Sequence, residues 1–169
     1  MNTNTPIETE RKFLIRMPSS DFLTSMNGVR VRHIEQTYLL CDSGNARVRR
    51  IVEGDTVTFV KTVKQRISTL SCYEDEHGIS EADYARELKD ADPEKNTVIK
   101  TRYAFPFRGH TVEIDVYPFW SDRAILEVEL ESEEEEIPLP AEVEIIKEVS
   151  ADKRYKNTEL ARNIPYDEI

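Results

Sequence analysis

Pairs of like-charged residues, separated by a single position, recur along this chain and constrain its fold more than any other feature. Glu8 and Glu10 form the first pair, and Lys12 follows two positions later. In a β-strand, residues two apart point to the same face, so each pair places its charges on one side. The remaining pairs are Arg47/Arg49, Glu74/Glu76, Lys100/Arg102, Glu113/Asp115 and Glu127/Glu129. This spacing predicts strands with one charged face and one apolar face.

Several short segments alternate in this way and are separated by turn residues, which favours antiparallel β-structure over a helical bundle. Two of the turns are Glu53-Gly54-Asp55 and Arg108-Gly109, where glycine supplies the positive φ that a tight hairpin needs. The predicted strands cover residues 7–17, 33–40, 46–53, 56–64, 97–107, 110–117 and 124–130. The sequence therefore predicts a mainly β fold.

Helices are predicted only at the periphery of the sheet. Ser80 and Asp83 resemble a capping box, and Tyr84, Leu88 and Ala91 follow at helical spacing. Residues 80–90 are therefore expected to form a helix. Two further helices are expected over residues 18–26 and 153–162.

The signs of the charges favour a binding site for a charged ligand over an ordinary solvated surface. A half-buried sheet with its charges facing water explains any single pair. However, the Arg47/Arg49 pair is wholly basic and the Glu127/Glu129 pair is wholly acidic. Like charges on one strand repel each other, so selection for stability alone favours mixed signs. If the sheet closes into a barrel, the charged faces line its interior, where water, metal ions and a polyanion must pair them.

Composition limits the classes of function. The net charge of −10 argues against a nucleic-acid partner, because a phosphate backbone needs a basic surface. A small anionic substrate must therefore bind at a local cluster of lysine and arginine, with metal ions offsetting nearby carboxylates. The length of 169 residues fits one domain over residues 1–169.

The cysteines and the hydropathy pattern favour a cytoplasmic protein. Cys41 and Cys72 have neither CxxC nor Cys/His spacing, so no disulfide framework or zinc site is predicted. Residues 1–6 are polar, unlike the apolar core of a secretory signal, and no later apolar run reaches membrane-spanning length. We expect no membrane partner. The oligomeric state is left open, with a homodimer as one alternative.

The order of the charged motifs carries a family resemblance. The run Glu8-Thr9-Glu10-Arg11-Lys12 matches an ExExK signature. It is followed by Gln36-Thr37-Tyr38-Leu39, Arg47-Val48-Arg49, Lys100-Thr101-Arg102-Tyr103, Glu113-Ile114-Asp115-Val116, Glu127-Val128-Glu129 and Asp152-Lys153-Arg154-Tyr155-Lys156-Asn157. This succession resembles the CYTH family, also called triphosphate tunnel metalloenzymes. It is most similar to the compact bacterial single-domain members, several of which act on inorganic triphosphate.

The resemblance implies a closed eight-stranded antiparallel β-barrel that forms a charged tunnel, with helices packed outside. It also implies Mg²⁺- or Mn²⁺-dependent hydrolysis of inorganic triphosphate to pyrophosphate and phosphate. The implied metal ligands are Glu8, Glu10, Glu74, Glu76, Asp115, Glu127 and Glu129, of which Glu74 and Glu76 would lie in the strand before the helix. The implied phosphate-binding residues are Lys12, Arg47, Arg49, Lys61, Lys100, Arg102, Arg154 and Lys156. Lys12 and Tyr38 correspond to a proposed catalytic pair.

One position departs from the family pattern. The family commonly has a hydroxyl residue two positions before the lysine assigned here to Lys61, and this chain has Phe59 there. Lys64 is the competing candidate, although it lies three residues away and is expected to face the other side. Arg30 and Arg32 form another basic pair, and the sequence leaves open whether they reach the tunnel.

Two roles remain open for Lys12. Among other cations its pKa is expected to fall, which would let it accept a proton from water with Tyr38 as a relay. The alternative is a fixed phosphate contact that never changes its protonation. The rival functions are an adenylate cyclase that makes cyclic AMP from ATP, a thiamine triphosphatase, and a non-catalytic protein that binds polyphosphate or a nucleotide.

Overall fold

The computed structural model describes residues 7–42 and 45–169. The polar segment 1–6 lies outside the described residues. Within the described ranges the strands are β1 Ile7–Arg16, β2 Arg30–Leu39, β3 Asn45–Glu53, β4 Thr56–Arg66, β5 Ser71–Ile79, β6 Val98–Phe107, β7 His110–Val116, β8 Arg123–Glu129 and β9 Ile145–Glu148. The helices are α1 Ser20–Ser25, α2 Glu81–Glu87 and α3 Asn157–Leu160, with 3-10 turns at Leu88–Asp90 and Lys153–Tyr155.

Eight of these strands close into an antiparallel barrel, as predicted. Their order is β5-β4-β3-β2-β6-β7-β8-β1, and β1 pairs again with β5 through Ile7 opposite Tyr73. Closure gives the first and last strands of the sheet a partner, so each end strand loses much of its open edge. β9 is an additional strand that pairs with β1, with Phe13 opposite Glu148.

The seven strands predicted from alternation are confirmed to within a few residues. Alternation did not predict β5 or β9. In β5 the acidic residue Asp75 stands between Glu74 and Glu76, so no apolar residue marks the outward face at that position. β9 is only four residues long. The predicted hairpin turns are present, with positive φ at Gly54 and Gly109.

The helices partly match their predictions. The backbone N–H of Asp83 donates to Ser80 Oγ at 3.0 Å, which caps α2, and the 3-10 turn after α2 completes the predicted segment 80–90. The predicted helix over residues 153–162 is wrong as a continuous element. Lys156 has extended backbone angles and separates a 3-10 turn from the single turn of α3.

Apolar clusters hold the barrel on both sides of its wall. The outer faces of β1, β6, β7 and β8 pack under α1, with Phe105 and Leu126 almost fully buried. Val48 on the outer face of β3 packs with Tyr84 of α2. A third cluster, which includes Leu14 and Tyr117, fills one end of the interior beside the C-terminal segment. The inward-facing charged residues therefore line the rest of the interior.

Candidate active site

A cavity of about 360 Å³ lies inside the barrel and is lined mainly by charged side chains. Strand register explains why. In antiparallel pairs, opposite residues point to the same side, and Lys12 stands opposite Glu127 while Tyr38 stands opposite Arg47. The structure thus brings together twelve of the sequence-predicted site residues: Glu8, Glu10, Lys12, Tyr38, Arg47, Arg49, Glu74, Glu76, Lys100, Arg102, Glu127 and Lys156.

One side of the cavity concentrates carboxylates. We call Glu8, Glu10 and Glu74, which line the cavity, together with the exposed Glu129 at the end of β8, the acidic corner. Glu8, Glu74 and Cys72 each have a potential ligand atom within 4.8 Å of the others. Lys64 Nζ lies 2.6 Å from Glu8 and 2.5 Å from Glu74. Glu10 stands opposite Glu129 in the β1–β8 register.

The acidic corner holds more negative charge than its cations compensate. Burial and a hydrogen bond with Glu8 raise the pKa of Glu74 to about 8, so these two carboxyl groups share a proton. Burial and neighbouring carboxylates also raise the pKa of Glu10 and of Glu129. Carboxylate oxygens are the ligands that Mg²⁺ and Mn²⁺ prefer, and a divalent ion would relieve this repulsion. Cys72 does not fit such an ion, because burial raises the pKa of its thiol and sulfur is a soft ligand.

A second part of the cavity wall, on the neighbouring strands β6, β7 and β8, is an ion-paired network. We call Lys100, Arg102, Asp115 and Glu127 the paired wall. Lys100 Nζ lies 2.5 Å from Asp115 Oδ2, and Arg102 donates to both oxygens of Asp115 at 2.6 and 2.7 Å. Arg102 also reaches Glu127 at 2.7 Å and contacts Glu113. Burial and the charge of Arg102 lower the pKa of Lys100 to about 8.

Two arginines of β3 present buried donors to the cavity. Arg49 contacts Glu76 and donates to Thr62 Oγ1 at 3.0 Å, and Arg47 lies 3.6 Å from Glu74. Among the described residues, the Nε atoms of both arginines are buried and lack a hydrogen-bond partner. Unmade hydrogen bonds of buried donors are costly, so these atoms favour a ligand that brings acceptors.

The predicted lowering of the Lys12 pKa is wrong. Lys12 Nζ lies 2.6 Å from Glu127 and 4.0 Å from Glu10. Burial disfavours the charged amine, but these carboxylates outweigh it and raise the pKa of Lys12. The sequence argument counted the cations near Lys12 and did not identify Glu127 as the residue directly opposite it.

Tyr38 is buried with its hydroxyl in the cavity. Its oxygen accepts a hydrogen bond from Gln36 Nε2 at 2.8 Å. Burial raises the pKa of Tyr38, although the nearby charge of Arg47 opposes that rise. The phenol therefore stays protonated and can act as a donor.

Two predicted phosphate-binding residues lie outside the cavity, which corrects their placement. Lys61 stands opposite Val48 on the outer face of the barrel, and its Nζ contacts Glu87 of α2 at 2.7 Å. Arg154 is exposed and pairs with Asp152 at 2.8 Å and with Asp167 at 2.9 Å. In both cases a local carboxylate outside the barrel holds the cation.

Two predicted metal ligands also lie outside the cavity lining. Asp115 is fully buried in the paired wall, where Lys100 and Arg102 occupy both of its oxygens. Glu129 is exposed at the end of β8, although it shares the inward face of Glu10.

The sequence left open whether Arg30 and Arg32 reach the tunnel. Both are paired with Glu53, and neither lines the cavity.

Lys64 is the main interior cation that was assigned incorrectly, and the sequence contained the signal. The family pattern needs a hydroxyl residue two positions before the lysine, and Thr62 stands two before Lys64. Lys64 stands opposite Asn45 and Glu74, on the inward face. Gln36 and Arg66 also line the cavity and were not among the predicted site residues.

None of the helices described over residues 7–42 and 45–169 is long and apolar enough to span a membrane. The cytoplasmic location and the homodimer stay predictions.

Comparison with known proteins agrees with the charged barrel. An inorganic triphosphatase from Acetivibrio thermocellus is 31% identical over 160 residues, which cover 94% of this chain and 95% of the relative. A solved structure described as the inorganic triphosphatase NE1496 is 28% identical, with a TM-score of 0.57 over 94% of this chain and 96% of that chain.

A more distant structure shares the fold alone. The PH1819 protein from Pyrococcus horikoshii OT3 is 19% identical, with a TM-score of 0.54 over 75% of this chain and 80% of that chain. The family model described as the CYTH domain matches residues 6–162, which is nearly the whole chain. The chain therefore belongs to the CYTH domain family.

Proposed function

We propose that this protein hydrolyses inorganic triphosphate to pyrophosphate and phosphate. The observation that carries the proposal is the pair of buried, unpartnered donors Arg47 Nε and Arg49 Nε, on two arginines that line a cavity rich in other cations. A linear polyanion with acceptor oxygens satisfies both requirements. The similarity to an inorganic triphosphatase along most of both chains supports the same substrate.

The acidic corner is the proposed site for Mg²⁺ or Mn²⁺. Glu8, Glu10, Glu74 and Glu129 would supply hard oxygen ligands. Burial and neighbouring carboxyl groups raise the pKa of Glu10, Glu74 and Glu129, which supports this fit. Such an ion supplies Lewis-acid neutralisation of phosphate charge. Glu127 is a further proposed ligand, but its oxygens contact Lys12 and Arg102. It can serve in that way only if one of those cations turns to the substrate.

The remaining predicted metal ligands are better explained as counter-ions. Asp115 holds Lys100 and Arg102, and Glu76 holds Arg49. We propose that these carboxylates fix the cations in position before substrate arrives, which lowers the reorganisation needed during reaction. The proposed phosphate-binding residues are Lys12, Arg47, Arg49, Lys64, Lys100, Arg102 and Lys156.

Lys12 is proposed as a phosphate contact rather than as a base. Its charged form is favoured by Glu127 and Glu10, so it would spread the negative charge of the substrate while remaining protonated. Tyr38 would donate its hydroxyl hydrogen to a phosphate oxygen. Positioning and electrostatic stabilisation supply most of the rate in phosphoryl transfer, which suits both roles.

A side-by-side assay tests this function. Triphosphate, ATP and thiamine triphosphate are each incubated with Mg²⁺ or Mn²⁺, and both phosphate and cyclic AMP are followed. The proposal predicts the fastest phosphate release from triphosphate and little cyclic AMP from ATP. Efficient formation of cyclic AMP would favour the cyclase alternative, and binding without turnover of any substrate would favour a non-catalytic protein.

A further inference from the structure

Gln36 is a buried amide inside the cavity to which the proposed chemistry assigns no role. It lies in β2 with 1% of its surface exposed. In the register it stands opposite Arg49 on one side and Val98 on the other. Burial of a polar side chain needs a hydrogen bond for each of its polar atoms if the cost of removing it from water is to be offset.

Only half of this amide is satisfied. Gln36 Nε2 donates to the hydroxyl oxygen of Tyr38 at 2.8 Å. Gln36 Oε1 is buried and accepts no hydrogen bond from any residue that the structure describes. One N–H of the amide is donated to Tyr38, and the amide oxygen is the buried atom without any partner that a ligand could satisfy.

The chemistry of the unsatisfied atom restricts what can bind there. An amide oxygen is an acceptor, and the ionised oxygens of a triphosphate are acceptors too, so the two cannot bond. A water molecule can donate to it. On the directly opposite residue, the unpartnered Nε of Arg49 is a donor suited to a phosphate oxygen. The two buried atoms therefore differ in the partner they need, a hydrogen-bond donor such as water for Gln36 Oε1 and an acceptor such as phosphate for Arg49 Nε.

We propose that Gln36 Oε1 holds and orients the water that attacks the terminal phosphorus. This inference rests on the proposed triphosphatase function. The hydrogen bond to Oε1 turns a lone pair of the water oxygen toward phosphorus. A new P–O bond forms, and the bond to the bridging oxygen breaks with its electron pair leaving on pyrophosphate. One proton of the water remains on the released phosphate, and the other is transferred to an oxygen of the pyrophosphate.

The same amide also sets the direction of the Tyr38 hydroxyl. Since the phenolic oxygen accepts from Gln36 Nε2, its own hydrogen is directed elsewhere and is available to a phosphate oxygen. Gln36 therefore has two separable effects, one on water and one through Tyr38. A double-mutant cycle distinguishes them.

The experiment compares the wild-type protein with Gln36→Met, Tyr38→Phe and the double variant. Methionine keeps the length and approximate volume of glutamine without its hydrogen bonds. Each protein is assayed for kcat and KM with triphosphate, and its binding of the non-hydrolysable imidotriphosphate is titrated. Gln65→Met is the matched control, because Gln65 is an exposed glutamine of β4.

The proposal predicts a specific pattern. Gln36→Met should lower kcat by about 10²-fold, the scale expected when a reacting group loses its alignment. KM and analogue affinity should stay within about threefold of the wild-type values, because the ground-state phosphate contacts are unchanged. The loss should persist in the Tyr38→Phe background, and Gln65→Met should behave as wild type.

Three results would overturn the proposal: a kcat for Gln36→Met close to that of the wild type, a loss that disappears in the Tyr38→Phe background, or a loss confined to analogue binding. A thermal unfolding curve for each variant identifies a loss that comes from misfolding, and Gln36→Met should unfold no earlier than the wild type. If the wild-type protein itself fails to hydrolyse triphosphate, the proposed function fails, which is a different result from an active Gln36→Met variant.

Discussion

The acidic corner and the paired wall both contain carboxylates and differ in how the charges of those carboxylates are compensated. In the paired wall, Asp115 and Glu127 each contact two cations within 2.7 Å. In the acidic corner, Glu8 and Glu74 share the single cation Lys64, and burial together with the charge of the neighbouring Glu127 raises the pKa of Glu10. The difference supports the proposal that the corner takes up a cation from outside, whereas the carboxylates of the wall already have their cations within the fold.

The largest expected effect is the loss of a charge from the paired wall. Asp115→Asn leaves Lys100 and Arg102 buried without their shared partner. Breaking a buried ion pair from one side typically costs about 3–5 kcal/mol of unfolding free energy. Urea unfolding measures it. The exposed Arg30–Glu53 pair is the control, and Glu53→Gln should change the unfolding free energy by no more than ~1 kcal/mol.

An equal stability of Asp115→Asn and wild type would remove the distinction between the two regions, because the wall would then tolerate uncompensated charge as the corner does.

The next effect concerns turnover and the charge of Lys12. Lys12→Met should reduce kcat/KM by roughly 10²-fold, because a buried cation next to the substrate is lost. Lys12→Arg keeps the charge and should retain activity within about tenfold of wild type. Steady-state kinetics measures both variants. A wild-type rate that rises with pH, together with a flat profile in Lys12→Arg, would restore the role of Lys12 as a base.

A smaller effect separates two lysines of one strand. Lys64 lies in the acidic corner and faces the substrate cavity, whereas Lys61 contacts Glu87 outside the barrel. Lys64→Met should raise the KM for triphosphate about tenfold, the scale of one charged hydrogen bond. Lys61→Met should leave KM unchanged. A raised KM in Lys61→Met together with an unchanged KM in Lys64→Met would show that Lys61, and not Lys64, contacts the substrate.

Alternation on seven strands predicted a mainly β fold, and the family resemblance implied its closure into a barrel. The prediction from alternation failed where that pattern is interrupted, as in β5, where Asp75 interrupts the contrast between the two faces. Residues of the tunnel could be predicted where two like charges stand two positions apart on one strand, because both then point to the same face. Lys61 was assigned to the tunnel although Phe59 stands where the family commonly has a hydroxyl residue, whereas Lys64, with Thr62 two positions before it, fits that pattern.

The direction of individual pKa shifts was harder to predict than position. The pKa of Lys12 depends on Glu127, which lies more than a hundred residues away in sequence and directly opposite in the sheet. Arg154 looked like a tunnel residue from its motif, but Asp152 and Asp167 hold it outside. Such contacts depend on three-dimensional packing, which a pattern of neighbouring residues does not contain.

The central claim is that the acidic corner takes up a divalent cation and that the rest of the interior does not need one. The most direct measurement is a titration of the protein with Mn²⁺, following the electron paramagnetic resonance signal of the free ion. Wild type and Glu53→Gln should bind Mn²⁺ equally, whereas Glu10→Gln should bind at least about tenfold more weakly, the scale expected for a disturbed metal site. Equal Mn²⁺ affinity in Glu10→Gln and wild type would contradict the account.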